Sequence, residues 1–302
     1  MMRALLAVAL LTAGLALPKE RTVDVQYTVT IPTPPAGLQL WLPVPQSNDF
    51  QTITSLRFEA PSPYQLATAP DGNRFFHSTL HAPATIQMSF RATRRERTLT
   101  PSPTPNPSCC LHPDRLVPID GQIATWARQV TEGTLTNTQK ARAIYNHVIE
   151  TVKYDKSGKG WGRGDIYYAC DARRGNCTDF HAIFIGYNRA RGVPARFAIG
   201  LPLPPGKPAG EISGYHCWAE FWSPDNGWVA IDASEAAKAP ARRAYFFGAH
   251  DEHRIEFTRG RDLTLAPPQS GPPLNFSIYP YAEADGQPFE NLETRITFAD
   301  VP

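Results

Sequence analysis

The run T-L-T-P-S-P-T-P-N-P-S-C-C-L-H-P, from Thr98 to Pro113, constrains the fold of this chain more than any other feature. Each proline fixes its own φ and denies helical geometry to the residue before it, so the run reads as a stiff, extended connector. We place a linker over residues 98–118, and the hydrophobic period changes across it. On the N-terminal side Val23, Val25, Tyr27, Val29 and Ile31 alternate strictly, the period of a half-buried strand. Further strand patterns cover Leu38–Leu42, Thr52–Glu59, Arg74–Leu80 and Thr85–Thr93, separated by proline, glycine and aspartate turns, so residues 17–97 are expected to form a β-sandwich-like domain. On the C-terminal side the period becomes helical. Ile123, Trp126, Ala127 and Val130 follow a capping Asp120, and Ala141, Ile144, Tyr145, Val148, Ile149 and Val152 follow Asn137 as the expected cap. Strand patterns return after residue 190, and Arg254–Leu265, Asn275–Glu283 and Asn291–Phe298 are expected to join the sheet of this second domain or to form a small appended sheet. The predicted class is therefore α+β over residues 119–302, preceded by the all-β domain.

Met1–Ala16 carries an early Arg3, an apolar run from Ala4 to Leu11 and small residues at Gly14 and Ala16. That is the pattern of a secretory signal peptide cleaved after Ala16, which implies a periplasmic or secreted protein. No later run is long and apolar enough for a membrane-spanning helix, so no integral membrane segment is expected after cleavage. Lys plus Arg total 30 against 28 Asp plus Glu, a balance that offers no basic field for nucleic acid.

Five cysteines, Cys109, Cys110, Cys170, Cys177 and Cys217, leave at least one thiol unpaired in a monomer. Cys109 or Cys110 is the expected disulfide partner of Cys170, and Cys217 reads as a small buried hydrophobe. Cys109, Cys110 and His112 are too local to encircle an ion, and His250-Asp251-Glu252-His253 reads as a solvated turn. Neither a metal nor an organic cofactor is expected.

Gly175-Asn176-Cys177-Thr178-Asp179-Phe180-His181 places one cysteine at the start of a helix whose apolar stripe runs through Phe180, Ile183, Phe184, Tyr187 and Ala190 and stops at Gly192. Unpaired N–H groups and the helix dipole stabilise a thiolate there, and the thiolate is the nucleophile of cysteine chemistry. Asp179 reads as a helix-start cap. The long glycine- and aromatic-rich stretch Tyr154–Asn176, with Trp161 in it, suits a substrate-lining loop. Gly214–Trp222 alternates as a strand, with Tyr215, Cys217, Ala219 and Phe221 on one face and His216, Trp218, Glu220 and Trp222 on the other. Ser223–Gly227 is a turn and Trp228–Asp232 a returning strand. If Trp222 opposes Trp228, Asp232 falls opposite Trp218 and one diagonal step from His216; a register shifted by one residue sends the two to opposite faces. In the first register Asp232 orients His216, whose other nitrogen faces Cys177. His181, one turn after Cys177, is the rival base, set back beside the first turn.

These residues, with Ala190-Arg191-Gly192-Val193-Pro194-Ala195-Arg196-Phe197, His216-Cys217-Trp218-Ala219-Glu220 and Gly227-Trp228-Val229-Ala230-Ile231-Asp232, resemble the core of bacterial transglutaminase-like proteins across roughly Ile119–Glu235. The resemblance implies a papain-like α+β core with Cys177 as nucleophile, His216 as general base and acid, and Asp232 as orienter. The common pattern has alanine where Cys217 stands, and from its side of the strand Cys217 is expected to matter little. The expected reaction is acyl transfer on peptide or glutamine-like amides, resolved by hydrolysis of a thioester. Cross-linking to an amine and non-catalytic binding of an envelope peptide are the alternatives. Candidate oxyanion donors are the Cys177 N–H and the Trp161 indole. The partner is a peptide or protein substrate, with cell-wall peptides among the candidates.

Overall fold

The computed structural model describes residues 19–102, 107 and 109–301. The expected leader over Met1–Ala16 and part of the proline run lie outside the described residues. In chain order the strands before the proline run are β1 (Glu20–Ile31), β2 (Leu38–Val44), β3 (Gln51–Glu59), β4 (Tyr64–Thr68), β5 (Arg74–Leu80) and β6 (Ala84–Arg95). Then come α1 (Gly121–Val130), α2 (Asn137–Thr151), β7 (Lys153–Tyr154), α3 (Ile166–Ala172), β8 (Arg174–Gly175), α4 (Cys177–Ala190), β9 (Ala195–Pro202), β10 (Ala209–Glu211), β11 (His216–Ser223), β12 (Gly227–Ile231) and α5 (Ala233–Lys238). The chain closes with β13 (Arg254–Arg259), β14 (Tyr281–Ala284), β15 (Gln287–Pro288) and β16 (Glu293–Asp300). An all-β region thus precedes an α+β core that begins near residue 120.

The all-β region is two five-stranded sheets, ordered β10-β16-β1-β6-β3 and β15-β14-β2-β5-β4. Alternation in β1 buries Val23, Val25, Tyr27, Val29 and Ile31 in one cluster with Leu38, Leu40, Leu42 and Phe76 of the other sheet. The last strands of the chain belong here too. β16 pairs antiparallel with β1, setting Val25 opposite Phe298 and Tyr27 opposite Ile296, and β14 pairs with β2. This corrects the expectation that Asn275–Glu283 and Asn291–Phe298 extend the second domain; of the late segments, Arg254–Arg259 joins its sheet. Alternation reveals a strand with one apolar face, but not which sheet covers that face.

The core sheet runs β12-β11-β9-β13, and α4 packs on β11 and β9 with α1, α2, α3 and α5 around it. Enclosure on every side buries each residue from Cys177 to Arg189, where the stripe had suggested a half-buried helix. Two polar residues of its last turns find partners: Asn188 Nδ2 donates to the Phe184 carbonyl at 2.8 Å, although its Oδ1 is buried without one, and Arg189 Nη1 donates across the fold to Asp114 Oδ2 at 2.8 Å. Two local differences from the sequence reading have simple causes. The α2 cap is Thr136, whose hydroxyl and Gln139 form a reciprocal capping box, and not Asn137. The stretch Tyr154–Asn176 contains α3, started by Asp165 Oδ1 accepting from Tyr167 and Tyr168 N–H.

Polar contacts join the two regions. β13 is an edge strand of the core sheet, and side-chain amides of the sandwich supply partners for its backbone. Gln51 exchanges bonds with Glu256 N–H and C=O at 2.8 and 2.9 Å, and Asn73 does the same for Arg259 at 2.9 and 2.7 Å. Arg97, just beyond β6, donates to buried Glu220 and to the Trp228 carbonyl.

Candidate active site

Cys177 is the first residue of α4, held there by a two-way cap. Asn176 Oδ1 accepts from Thr178 N–H at 2.9 Å and from the Thr178 hydroxyl at 2.6 Å, while Asp179 Oδ2 accepts from Asn176 N–H at 2.9 Å. Asp179 does more than cap. Its carboxylate also accepts from Gly162 N–H at 2.7 Å and Gly164 N–H at 3.1 Å, tying the glycine-rich loop to the helix start. Gly175 makes room for this: a Cβ there would lie 2.2 Å from Asp179 Oδ2. Trp161 sits half-buried on the same loop, with the Lys156 ammonium 5.9 Å from its ring.

The hairpin has the register that brings His216 and Asp232 together. Trp222 opposes Trp228 and Ala219 opposes Ile231, so the diagonal relation holds. His216 Nε2 donates to Asp232 Oδ2 at 2.6 Å, and the Cys177 sulfur is close enough to the imidazole for each to shift the other's titration. The three groups are buried, Cys177 at 2% exposure, His216 at 8% and Asp232 at 0%. Burial pushes the Cys177 thiol up, but hydrogen bonds from Cys217 and His216 and the imidazolium charge hold it well below the ordinary thiol range. Burial likewise pushes His216 down; the Asp232 carboxylate and the Cys177 sulfur outweigh it and raise the imidazole to about 10. Both shifts favour the thiolate–imidazolium form of the pair.

His181 is not placed to act as the base. Its Nε2 accepts from the Ala233 N–H at 3.2 Å, which leaves the proton on Nδ1, and burial pushes the ring down to about 4. It is a neutral strut between α4 and α5.

Cys217 departs from expectation. Sequence alternation puts it on the strand face away from His216, yet its sulfur lies 3.5 Å from His181 Nδ1, and it and Cys177 each shift the other's titration. The reason is position along the strand. β11 begins at His216 and packs against α4, and Cys217, its second residue, meets His181 of that helix. The expected disulfide is absent as well: Cys109, Cys110, Cys170, Cys177 and Cys217 are all thiols, and Cys170 Sγ instead lies 3.5 Å from Tyr187 Oη.

Sequence reasoning missed Arg254. Its Nη1 donates to Asp232 Oδ2 at 2.9 Å, the same oxygen that holds His216, and its Nη2 donates to Asp251 Oδ1 at 3.2 Å. Asp232 Oδ1 caps α5, accepting from Ser234 Oγ at 2.9 Å and Glu235 N–H at 3.0 Å. Burial would raise this carboxylate; His216 and then Arg254 hold it well below the carboxylate range. Arg254 carries no signal in the sequence, because it follows the His250–His253 cluster and binds across the fold. That cluster is not a solvated turn: His250 is fully buried and exchanges backbone bonds with Arg97. Among the described residues no group of three or more His, Cys, Asp or Glu is disposed to hold a metal ion.

Residues 124–233 match the model of the transglutaminase-like superfamily, a span that takes in Cys177, His216 and Asp232. This chain carries a transglutaminase-like superfamily core. An uncharacterized protein of Haemophilus influenzae is 25% identical over 322 residues, covering 89% of this chain and 87% of its own. A protein-glutamine gamma-glutamyltransferase of Pseudomonas aeruginosa is 33% identical over 67 residues, which are 20% of this chain but 10% of that protein. In fold, the chain is similar to a Cytophaga hutchinsonii protein provisionally named a cysteine protease, with a TM-score of 0.62 and 16% identity across 95% of this chain and 92% of that one.

Proposed function

We propose that this protein is an exported cysteine enzyme that cleaves peptide or glutamine-like amides through a thioester, and that it works in the periplasm or outside the cell. One observation carries the reading: a buried thiol at a helix N-terminus whose titration is coupled to an imidazole that lies, through Nε2, 2.6 Å from a buried carboxylate. In the first step the Cys177 thiolate attacks the amide carbonyl carbon. The developing oxyanion is met by the Cys177 N–H, which has no protein acceptor among the described residues, with the Trp161 indole as the second candidate donor. His216, held through Nε2 by Asp232, gives the proton on Nδ1 to the leaving nitrogen; the C–N bond breaks and a thioester remains. His216 then takes a proton from water, the resulting hydroxide adds to the acyl carbon, and the C–S bond breaks to restore the thiolate and release a carboxylic acid, which gives its proton to solvent. Export rests on the leader pattern over Met1–Ala16. Among the described residues no helix is long and apolar enough to cross a membrane.

The stretch shared with the Pseudomonas aeruginosa gamma-glutamyltransferase supports a second outcome, capture of the thioester by an amine. One experiment separates the two. The purified protein is incubated with peptidoglycan stem peptides, casein and glutamine donors, with and without an amine acceptor, and products are read by mass. Free acid is expected with the amine present, and a dominant amine adduct would establish transfer instead. If neither product forms with any substrate, and Cys177 alkylates with iodoacetamide no faster than an unstructured thiol, the enzyme reading fails.

A further inference from the structure

The proposed chemistry uses one thiol, yet the site contains two. Cys217 is fully buried and its sulfur lies 3.5 Å from Nδ1 of His181, itself one helical turn from Cys177 on α4, which packs on the strand that carries Cys217. No disulfide, metal or catalytic step accounts for it. A buried cysteine with apolar neighbours is ordinarily inert, but this one adjoins the sulfur that is held as a thiolate, the form that oxidants attack.

We propose that Cys217 is a resolving thiol, which captures oxidised Cys177 as an intramolecular disulfide and makes oxidation of the nucleophile reversible. The inference rests on the thiolate character of Cys177 adopted above, and its oxidant class is a hydroperoxide. The Cys177 thiolate attacks one peroxide oxygen, the O–O bond breaks, and the hydroxide that leaves takes the imidazolium proton of His216 to become water. Cys177 is now the sulfenic acid. The Cys217 sulfur attacks the sulfenic sulfur, the S–O bond breaks, and the Cys217 proton passes to the departing hydroxide to give water. In sum two thiols and one hydroperoxide give a disulfide, one water and one further water or alcohol. Two electrons leave the sulfurs and reduce the O–O bond. A small-molecule dithiol reverses the change by exchange.

The site is suited to this in three ways. Cys217 already lies against the first turns of α4 through His181, and Cys177 is at the first position of that helix, where little backbone need shift. Burial pushes the Cys217 thiol well above its ordinary range, so it remains a thiol and does not compete with Cys177 for oxidant. A shared enclosure also keeps a second peroxide from meeting the sulfenic acid before Cys217 does.

The test is a peroxide pulse on the purified full-length chain. After hydrogen peroxide treatment and alkylation of remaining thiols, peptide mapping is expected to show a Cys177–Cys217 cross-link. Iodoacetamide reactivity of Cys177 should fall at least tenfold and return on dithiothreitol treatment. In Cys217→Ala the same pulse should give sulfinic or sulfonic acid at Cys177, with recovery by dithiothreitol reduced at least fivefold. Equal recovery in the two proteins, or Cys217 still open to alkylation after unfolding of the oxidised wild type, overturns the proposal. A chain that forms the cross-link but turns over no amide contradicts the proposed function and leaves this pairing intact. A chain that cleaves amides but oxidises directly to sulfinic acid does the reverse.

Discussion

At the scale of single residues, charge placement around Asp232 decides how the site works. Cys177→Ala is expected to abolish turnover, and His216→Ala and Asp232→Asn to lower kcat/KM by roughly 10³-fold or more, read as single-turnover rates on the best amide found. His181→Gln should cost stability more than chemistry, since its ring bridges Ala233 and Cys217. The pH dependence follows from the shifts. Activity needs Cys177 deprotonated and His216 protonated, so it should hold from the lowered thiol pKa up to an alkaline limb near 10, where the imidazolium is lost. The same shift is a stability term. A histidine raised from 6.5 to about 10 stabilises the fold fully below the unfolded value and ceases to as pH rises through 10; Asp232, lowered, stabilises above its unfolded value and ceases to as pH falls. Arg254 shares Asp232 Oδ2 with His216, so Arg254→Met should move the alkaline limb upward by removing a competing cation, whereas Arg254→Lys should largely restore it. The sequence makes Cys177, His216 and Asp232 legible because their order and local periods are visible. Arg254 and Cys217 are not legible as site residues: one reaches Asp232 from a strand with no motif, and the role of the other depends on how two elements meet at their ends.

At the scale of elements, caps and register do the positioning. The glycine loop and the start of α4 are held by one carboxylate, Asp179, so Asp179→Ala removes a cap and leaves Gly162 and Gly164 N–H without acceptors together. A lost cap alone costs about 1 kcal/mol. We expect the measured loss by urea unfolding to exceed that, and Cys177 alkylation to slow as the loop loosens. Conservative Asp179→Asn should recover part of both. The hairpin register was open to derivation from the turn, since loop length sets which residues face each other. The complete burial of α4 was not, because an apolar stripe reports the face that packs most tightly and says nothing about helices that later cover the polar side. Glu220 belongs to this scale as well. It lies on β11 with Arg97 and Arg196 on its two oxygens, Arg196 Nε at 2.6 Å. Glu220→Gln leaves two guanidinium groups facing a neutral partner in a buried junction. A loss of about 3 kcal/mol is expected by denaturant titration, the scale of breaking a buried pair on one side.

At the scale of the whole molecule, the chain threads between its two regions more than a linker with a domain on either side would suggest. β10, from between two strands of the core sheet, pairs with β16, and β16 pairs with β1, so the sandwich is completed from the middle and the end of the chain. The core in turn relies on the sandwich, through Gln51 and Asn73, for partners along its β13 edge. The proline run marked where the period changes, and that much was visible in composition; which strands return across it was not, because pairing is a property of the folded surface. The consequence can be tested. Ending the chain before β16 strips one edge from β1, uncovers the apolar residues that Ile296 and Phe298 help bury, and leaves β10 unpaired. Such a chain is expected to aggregate through its exposed edge. A synthetic peptide of residues 290–301 added during refolding should restore solubility and a cooperative melt, because it supplies the missing strand in its native register. Because β13 and its Arg254 are anchored to the sandwich, recovery of fast Cys177 alkylation should track recovery of the melt. A soluble truncated chain with unchanged melting and alkylation would show instead that the core holds its site without the sandwich.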